Sequence, residues 1–573
     1  MLLSRIVILS LLLLHTFADG PKNNTTFISP VKIPLSLSAN FGELRIDHFH
    51  SGLDIKTQGV TGKEVVATAP GYVYRISVSP GGFGKAIYIK HPSGYSTVYG
   101  HLEKFSAEID DYVKARQYEK KSFLVTLYPS REKFPVKQGE VIAYSGNSGS
   151  SGGPHLHYEI RKSESEIPVN PLSFDCGISD NVKPVIEKLV IYPVNRNTII
   201  NNKNKKKLFN VTGSNGKYTL PPDTEINVSG AAGFGIKSFD KLDDSNNKCA
   251  VYSIELNIDS SSVFKYVMDA FSFDESRYIN SHIDYETYEK ENIYIERTFV
   301  LPNDKLSVYK NLVNRGIFNF GDNRTHLAEI IVTDIDGNKS ALSFKIKARP
   351  MKPGGGSEQP EGNGRLMPYN RSNSFKGENI KVDIPDGALY DTINFEYRKG
   401  LRSNGMLSEL HFIHNIYTPV HKPFTVSIKP DSFPSGRKSK MLLIKLDEEG
   451  KDNPINSYWS DDYISGEARS FGKFYVGIDT VAPEINANGL TQGATLTDRK
   501  EIRIRISDDL SGINYYDPTI DGKWALFEYD QKNNVLIYKF DSEKILKGTK
   551  HNLSLKVADN KDNISFFNCT FTW

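Results

Sequence analysis

A chain of 573 residues is too long for one hydrophobic core; at roughly 100–200 residues per domain it makes about three to five units. Hydrophobic residues at 38% and charged residues at 24% exclude a chain dominated by disorder. A net charge of +3, from 71 basic and 68 acidic side chains, gives no electrostatic case for a nucleic-acid partner.

The chain begins with Arg5, an apolar run at 6–14 broken only by Ser10, and then small and polar residues with Ala18 as a cleavage point. That run is shorter than the roughly 20 apolar residues a membrane span needs, so residues 1–18 are predicted to be a signal peptide. No cysteine lies near Ala18 to carry a lipid, and no later stretch is long and apolar enough to cross a membrane. A soluble protein exported to the periplasm or cell surface is expected. Cys176, Cys249 and Cys569 are odd in number and far apart, which is neither a disulfide framework nor a CxxC metal pair.

Short alternating strands are predicted at 64–69, 72–78, 86–90 and 96–101, separated by turns at Pro70-Gly71, Pro80-Gly81-Gly82 and Pro92-Ser93-Gly94. Residues 109–121 are charged and poor in turn signals, which predicts a helical insertion. Strand-turn-strand then returns at 136–143. After Asp175 the chain becomes richer in Asn, Asp and Lys, and an internal repeat appears. Asp180 and Pro184 match Asp479 and Pro483. His326, Asp334, Asn338 and Ser340 match His551, Asp559, Asn563 and Ser565 at equal offsets. Such matching predicts two copies of one β-sandwich, with the Asp and Asn serving a hairpin turn. Their terminal strands resemble immunoglobulin-like modules. A Gly/Pro-rich run at 350–366 predicts a linker, and 367–478 a further β-domain.

The chemistry concentrates in the first part of the chain. His48-Phe-His50-Ser-Gly-Leu-Asp54 comes first, then Tyr99-Gly-His101-Leu, then Gly152-Gly-Pro-His155-Leu-His157-Tyr-Glu159. In a strand, residues two apart share a face, so His155, His157 and Glu159 point one way and Leu156, Tyr158 and Ile160 the other, into a core. Around His50 and Asp54, Ser51-Gly52 predicts a turn entering a strand, from which both side chains can reach one ion. Two or three imidazoles with a carboxylate suit zinc, and three protein ligands leave a position open for water. Calcium and magnesium prefer all-oxygen sets and fit less well.

Residues from about 29 to 171 resemble the lysostaphin/LytM-type zinc endopeptidases, peptidase family M23. His50-Ser-Gly-Leu-Asp54, Tyr99-Gly-His101-Leu102, Gly152-Gly-Pro-His155-Leu-His157 and Asn40-Phe-Gly-Glu-Leu-Arg45 carry the resemblance, over about a quarter of the chain. It implies one Zn²⁺ per chain held by His50, Asp54 and His157, with His101 and His155 as catalytic histidines. It also implies a peptidoglycan peptide as substrate, with glycine bridges and D-amino-acid cross-links both suited to the fold. Residues 79–84, the segment between Phe105 and Pro135, and the loop 146–153 are candidate groove walls. That Gly-rich loop lacks a following helix, which argues against a phosphate site.

The expected architecture is mainly β: an antiparallel β-sheet metallopeptidase domain at 19–175, followed by about three β-sandwich domains at 176–349, 367–478 and 479–573. The later domains are candidate surfaces for a protein partner or the wall. Two other functions stay open, a non-catalytic scaffold or activator of another wall hydrolase and a peptidase acting on a protein. His411, His414 and His421 form a second cluster, but Pro419 interrupts it and surface or turn positions are expected.

Overall fold

Strands form where apolar alternation predicts them, and turns fall where Gly, Pro, Asn and Asp cluster. The computed structural model describes residues 26–174, 177–243, 245–350 and 364–573. The predicted signal peptide, Cys176 and most of the predicted linker lie outside these residues. The linker is shorter at its end than predicted, because Arg365–Met367 already pairs with Ile393–Phe395. The chain is mainly β throughout, and among the described residues no helix is long and apolar enough to cross a membrane.

In the N-terminal domain seven strands lie side by side, each antiparallel to its neighbour. Their order is Leu37–Ala39, Leu53–Lys56, His155–Lys162, Tyr95–Leu102, Lys85–Lys90, Gly71–Val78 and Val125–Leu127. Leu156, Tyr158 and Ile160 of the central strand are buried in the core with Leu53, Ile55, Ile87 and Tyr99. The opposite face of that strand is thereby left to His155, His157 and Glu159, as alternation requires. The predicted insertion is the helix Ala107–Lys120, which buries Ile109, Val113 and Gln117.

The next unit is built on the 13-residue strand Asn227–Phe239, which pairs with Val185–Pro193 along most of its length and with Lys339–Ala348 at its start. That strand joins two layers into one continuous sheet. The last unit keeps its layers apart, as a four-stranded and a five-stranded sheet. Despite this difference the predicted repeat is real at the level of hydrogen bonds. His326 Nδ1 pairs with Asp259 Oδ2 at 2.6 Å, and His551 Nδ1 with Asp521 Oδ2 at 2.7 Å. Asn338 donates its amide to Asp334 and Asn563 donates to Asp559, which closes the same hairpin turn twice.

Residues 367–478 form two five-stranded sheets around Met367, Val382, Val426, Leu443 and Phe474. The three histidines here do not converge on one point. His411 Nδ1 pairs with Tyr397 Oη at 2.9 Å, His414 Nε2 with Thr418 Oγ1 at 3.0 Å, and His421 stacks on Tyr278 at 4.1 Å. They are packing and turn groups, and His411 is buried where a surface position was expected. Burial lowers all three from 6.5 to about 4. The unfolded chain therefore binds protons first on acidification. The stability these neutral groups hold is fully present above pH 6.5 and is lost as pH falls toward 4. Calorimetry across that window should show a falling melting temperature, with a shallower slope for His414→Gln.

Candidate active site

The central strand sets the register of the site. His157 lies directly opposite Asp54 on one neighbouring strand and Gly100 on the other, and His155 lies opposite Lys56. His50 enters from the turn after the short strand His48–Phe49. His101 stands near the end of the strand Tyr95–Leu102 with φ 59°, a left-handed conformation that is uncommon for a residue with a side chain and often marks a functional position. Its backbone N–H donates to Phe83 O at 2.8 Å, so the turn at 79–84 holds that conformation.

Three donor atoms meet at one point. His50 Nε2 and His157 Nδ1 are 3.1 Å apart, His50 Nε2 and Asp54 Oδ1 3.0 Å, and His157 Nδ1 and Asp54 Oδ1 2.9 Å. His155 Nε2 stands 3.5 Å from the same oxygen. All three residues of the triangle are buried. A set of two imidazoles and one carboxylate with edges near 3 Å fits tetrahedral zinc, whose ligands sit at about 2.0–2.2 Å. An oxygen-loving ion would find one carboxylate too few.

The distal nitrogen of each imidazole is committed elsewhere, which fixes which nitrogen faces the centre. His50 Nδ1 donates to Asn40 O at 2.7 Å, and His157 Nε2 to Glu159 Oε1 at 2.9 Å. His101 Nδ1 donates to Ser148 O and His155 Nδ1 to Gly153 O, each at 2.9 Å. The His101 and His155 rings lie 4.8 Å apart at a tilt of 55°, and the His101 ring is 5.9 Å from that of His157. Phe83 stacks on His157 at 4.8 Å and meets His101 edge-on at 6.2 Å.

Electrostatics follow from burial and the two carboxylates. Burial pushes His50 down to about 4, and burial with the neighbouring His157 and His155 pushes His101 down to about 3. Both are neutral at pH 7, with a free electron pair each. Burial works against a charge on His157 too, but Asp54 and Glu159 overcome it and raise the group to about 9. Burial opposes ionisation of Asp54, yet three imidazoles hold it far below the usual carboxylate range, and Arg45 Nη2 donates to its other oxygen at 2.6 Å. Glu159 is fully enclosed by His157, Ser51 and Arg161, whose Nε donates at 2.6 Å.

Glu159 thus orients His157 through the nitrogen that does not face the metal position. Glu159→Gln should weaken zinc affinity by about 10–100-fold, read by chelator competition, with circular dichroism unchanged. Alternation placed Glu159 on the right face, but its role needed the structure. Arg45 ends the segment Asn40-Phe-Gly-Glu-Leu-Arg45, and its bond to Asp54 emerges only in the structure. Phe83 carried no signal beyond being an aromatic in a turn.

Two of the predicted groove walls are stitched together. Gly82 and Ser150 exchange hydrogen bonds, Lys85 N donates to Ser148 Oγ, and Gly84 and Gly149 approach so closely that a Cβ on either would strike the other loop within 2.6 Å. The last unit then grips this loop: Lys532 Nζ donates to Ser151 O at 3.0 Å and to Asn147 O, and Lys85 pairs with Glu528 at 2.9 Å.

Residues 48–118 and 126–171 match the profile of peptidase family M23, and residues 364–479 match a Zu5-like domain. Among curated proteins, an uncharacterized metalloprotease of Haemophilus influenzae is 37% identical over 124 residues, 22% of this chain and 20% of that protein. The DD-carboxypeptidase/endopeptidase Mpg of Neisseria meningitidis is 35% identical over 124 residues, 22% of each chain. The murein hydrolase activator NlpD of Escherichia coli is 33% identical over 126 residues, 22% of this chain and 26% of that protein. The match thus spans about a fifth to a quarter of these relatives. Among solved structures, the catalytic domain of the M23 protein EnpA from Enterococcus faecalis aligns at 26% identity, covering 25% of this chain and 95% of that one, with a TM-score of 0.19. The chain carries, between residues 48 and 171, a domain of peptidase family M23.

Proposed function

We propose that this protein is an exported zinc-dependent endopeptidase that hydrolyses peptide cross-links of bacterial peptidoglycan. The observation that carries the reading is the complete set of groups around one point: His50, Asp54 and His157 with their donor atoms converged, and the rings of His101 and His155 beside them, each held through Nδ1. Zinc held by the three would polarise the scissile carbonyl and bring the pKa of a bound water to about 7. His101 Nε2, neutral and anchored through Ser148 O, accepts the proton of the attacking water and returns it to the leaving amine. His155, on the other side of the opening and with its Nδ1 donating to Gly153 O, accepts a hydrogen bond from the water at Nε2 and so orients it. Phe83 shields the His157 side from bulk solvent.

In this reading residues 19–175 carry the chemistry and the units at 176–349, 367–478 and 479–573 position it on wall or partner. A second reading, a non-catalytic activator of another wall hydrolase, draws on the similarity to the activator NlpD. The two separate in one assay. Mature protein with zinc is incubated with purified sacculi beside a His157→Ala sample, and released muropeptides are identified by mass. Release by the wild type alone supports the enzyme and names the bond. Release that needs an added hydrolase and survives His101→Ala supports the activator.

A further inference from the structure

Each repeat gathers three aspartates at the end where the chain enters it. In the first, Asp180 precedes the strand Val185–Pro193, Asp240 directly follows Asn227–Phe239, and Asp334 directly follows Thr325–Thr333. In the second, Asp479 precedes Glu484–Asn486, Asp508 follows Glu501–Ser507, and Asp559 ends Lys550–Asp559. In each set, one oxygen per aspartate lies within 4.8 Å of the others.

Turn chemistry accounts for part of this. Asn338 and Asn563 donate to Asp334 and Asp559, and each reaches on to the main-chain oxygen of the first aspartate, Asp180 or Asp479. It leaves other atoms unexplained. Asp180 and Asp240 are only 5% and 3% exposed, yet Asp180 Oδ2 and Asp240 Oδ1 have no hydrogen-bond partner. The other oxygen of Asp180 is satisfied by Val182 N and Asp243 N, both at 3.0 Å, so the side chain is fixed with one oxygen unpaired. In the second repeat Ser511, whose N–H donates to Asp479 at 3.0 Å, keeps a buried hydroxyl without a partner.

Charge makes the same point. Among the described residues no Lys, Arg or His forms an ion pair with any of these six aspartates, although Lys561 lies near the second set. Buried like charges without a counter-ion are costly. Burial and the neighbouring aspartates push Asp240 up to about 8 and Asp334 up to about 6.

We propose that each repeat binds a hard divalent cation of the calcium class, the first at Asp180, Asp240 and Asp334 and the second at Asp479, Asp508 and Asp559. The donors are all oxygen, which favours calcium over zinc. Oxygens within 4.8 Å of one another are close enough to contact one ion at about 2.4 Å. Because Asp180 and Asp479 lie on the segments entering their units, the ion ties each unit to what precedes it. These sites are separate from the centre at His50, Asp54 and His157 and do not depend on its function.

The test uses full-length, zinc-saturated protein stripped of calcium, titrated with calcium chloride to about 10 mM, the range expected for extracellular modules of weak affinity. Calorimetry should count two calcium ions per chain, and the melting temperature should rise with calcium. Asp240→Asn should lose one ion and Asp508→Asn the other. Without calcium and above pH 8, where Asp240 carries its charge, Asp240→Asn should melt no lower than the wild type, because it removes repulsion; an aspartate with a purely structural role would lower it. No saturable binding in the wild type, or an unchanged calcium count in either variant, overturns the proposal.

Discussion

His101→Ala is expected to lower kcat for muropeptide release by about 10²–10⁴-fold while the protein keeps its zinc. The metal content should survive because His101 is not a corner of the triangle: its Nδ1 is tied to Ser148 O, and its ring stands 4.8 Å from His155 and 5.9 Å from His157. What the substitution removes is a neutral base beside the opening, with its conformation forced by the turn that carries Phe83. Asp54→Ala gives the opposite pattern. It deletes the carboxylate whose one oxygen meets His50 and His157 and whose other accepts from Arg45, so metal and activity are lost together. Metal analysis beside single-turnover kinetics separates the two, and a His101→Ala protein with unchanged release would remove that residue from the mechanism.

Phe49→Ala is expected to cost about 3–5 kcal/mol of stability and to weaken metal binding as well. Phe49 precedes His50, yet it is buried in the core of the following unit, 5.5 Å from Phe271 and 5.9 Å from His282. Phe41 joins it there, 5.1 Å from Phe271. Between them Asn40 pairs its side chain with both backbone groups of Ala250, at 2.9 and 2.8 Å, while its own carbonyl receives His50 Nδ1. The segment that supplies a corner of the triangle is therefore held from outside its own sheet. A fragment of residues 19–175 would expose Phe41 and Phe49 and release Asn40. It should bind zinc more weakly than the full chain, as measured by chelator competition; equal affinity would show that the second unit does not orient His50.

Much of this was readable in the residues. A period of two in His155-Leu-His157-Tyr-Glu159 dictates which side chains face the centre, because a strand leaves no other arrangement once Leu156, Tyr158 and Ile160 must be buried. The repeat was equally legible, since a hairpin closed by an Asp and an Asn four residues on needs those side chains at those offsets. Cross-strand register was not. His157 meets Asp54 across 103 positions of sequence, and only the pairing of Leu53–Lys56 with the central strand brings them to 2.9 Å. The histidines of 411–421 show the converse: close in sequence, they diverge because strand and turn point them at Tyr397, Thr418 and Tyr278.

The sequence by itself determined the local periods, the turns and the chemical types assembled in the M23 domain, because those depend on neighbours a few residues away. Tertiary structure decided which nitrogen of His50 and His101 faces the centre, since the opposite nitrogen is claimed by Asn40 or Ser148 from another segment, whereas His157 and His155 are held by Glu159 and Gly153 two residues along the chain. It also decided that Phe49 belongs to the second unit's core and that Lys532, hundreds of residues away, closes on the loop at 147–151. Such contacts depend on how whole units dock, and no pattern of adjacent residues encodes the surface that a distant unit will meet.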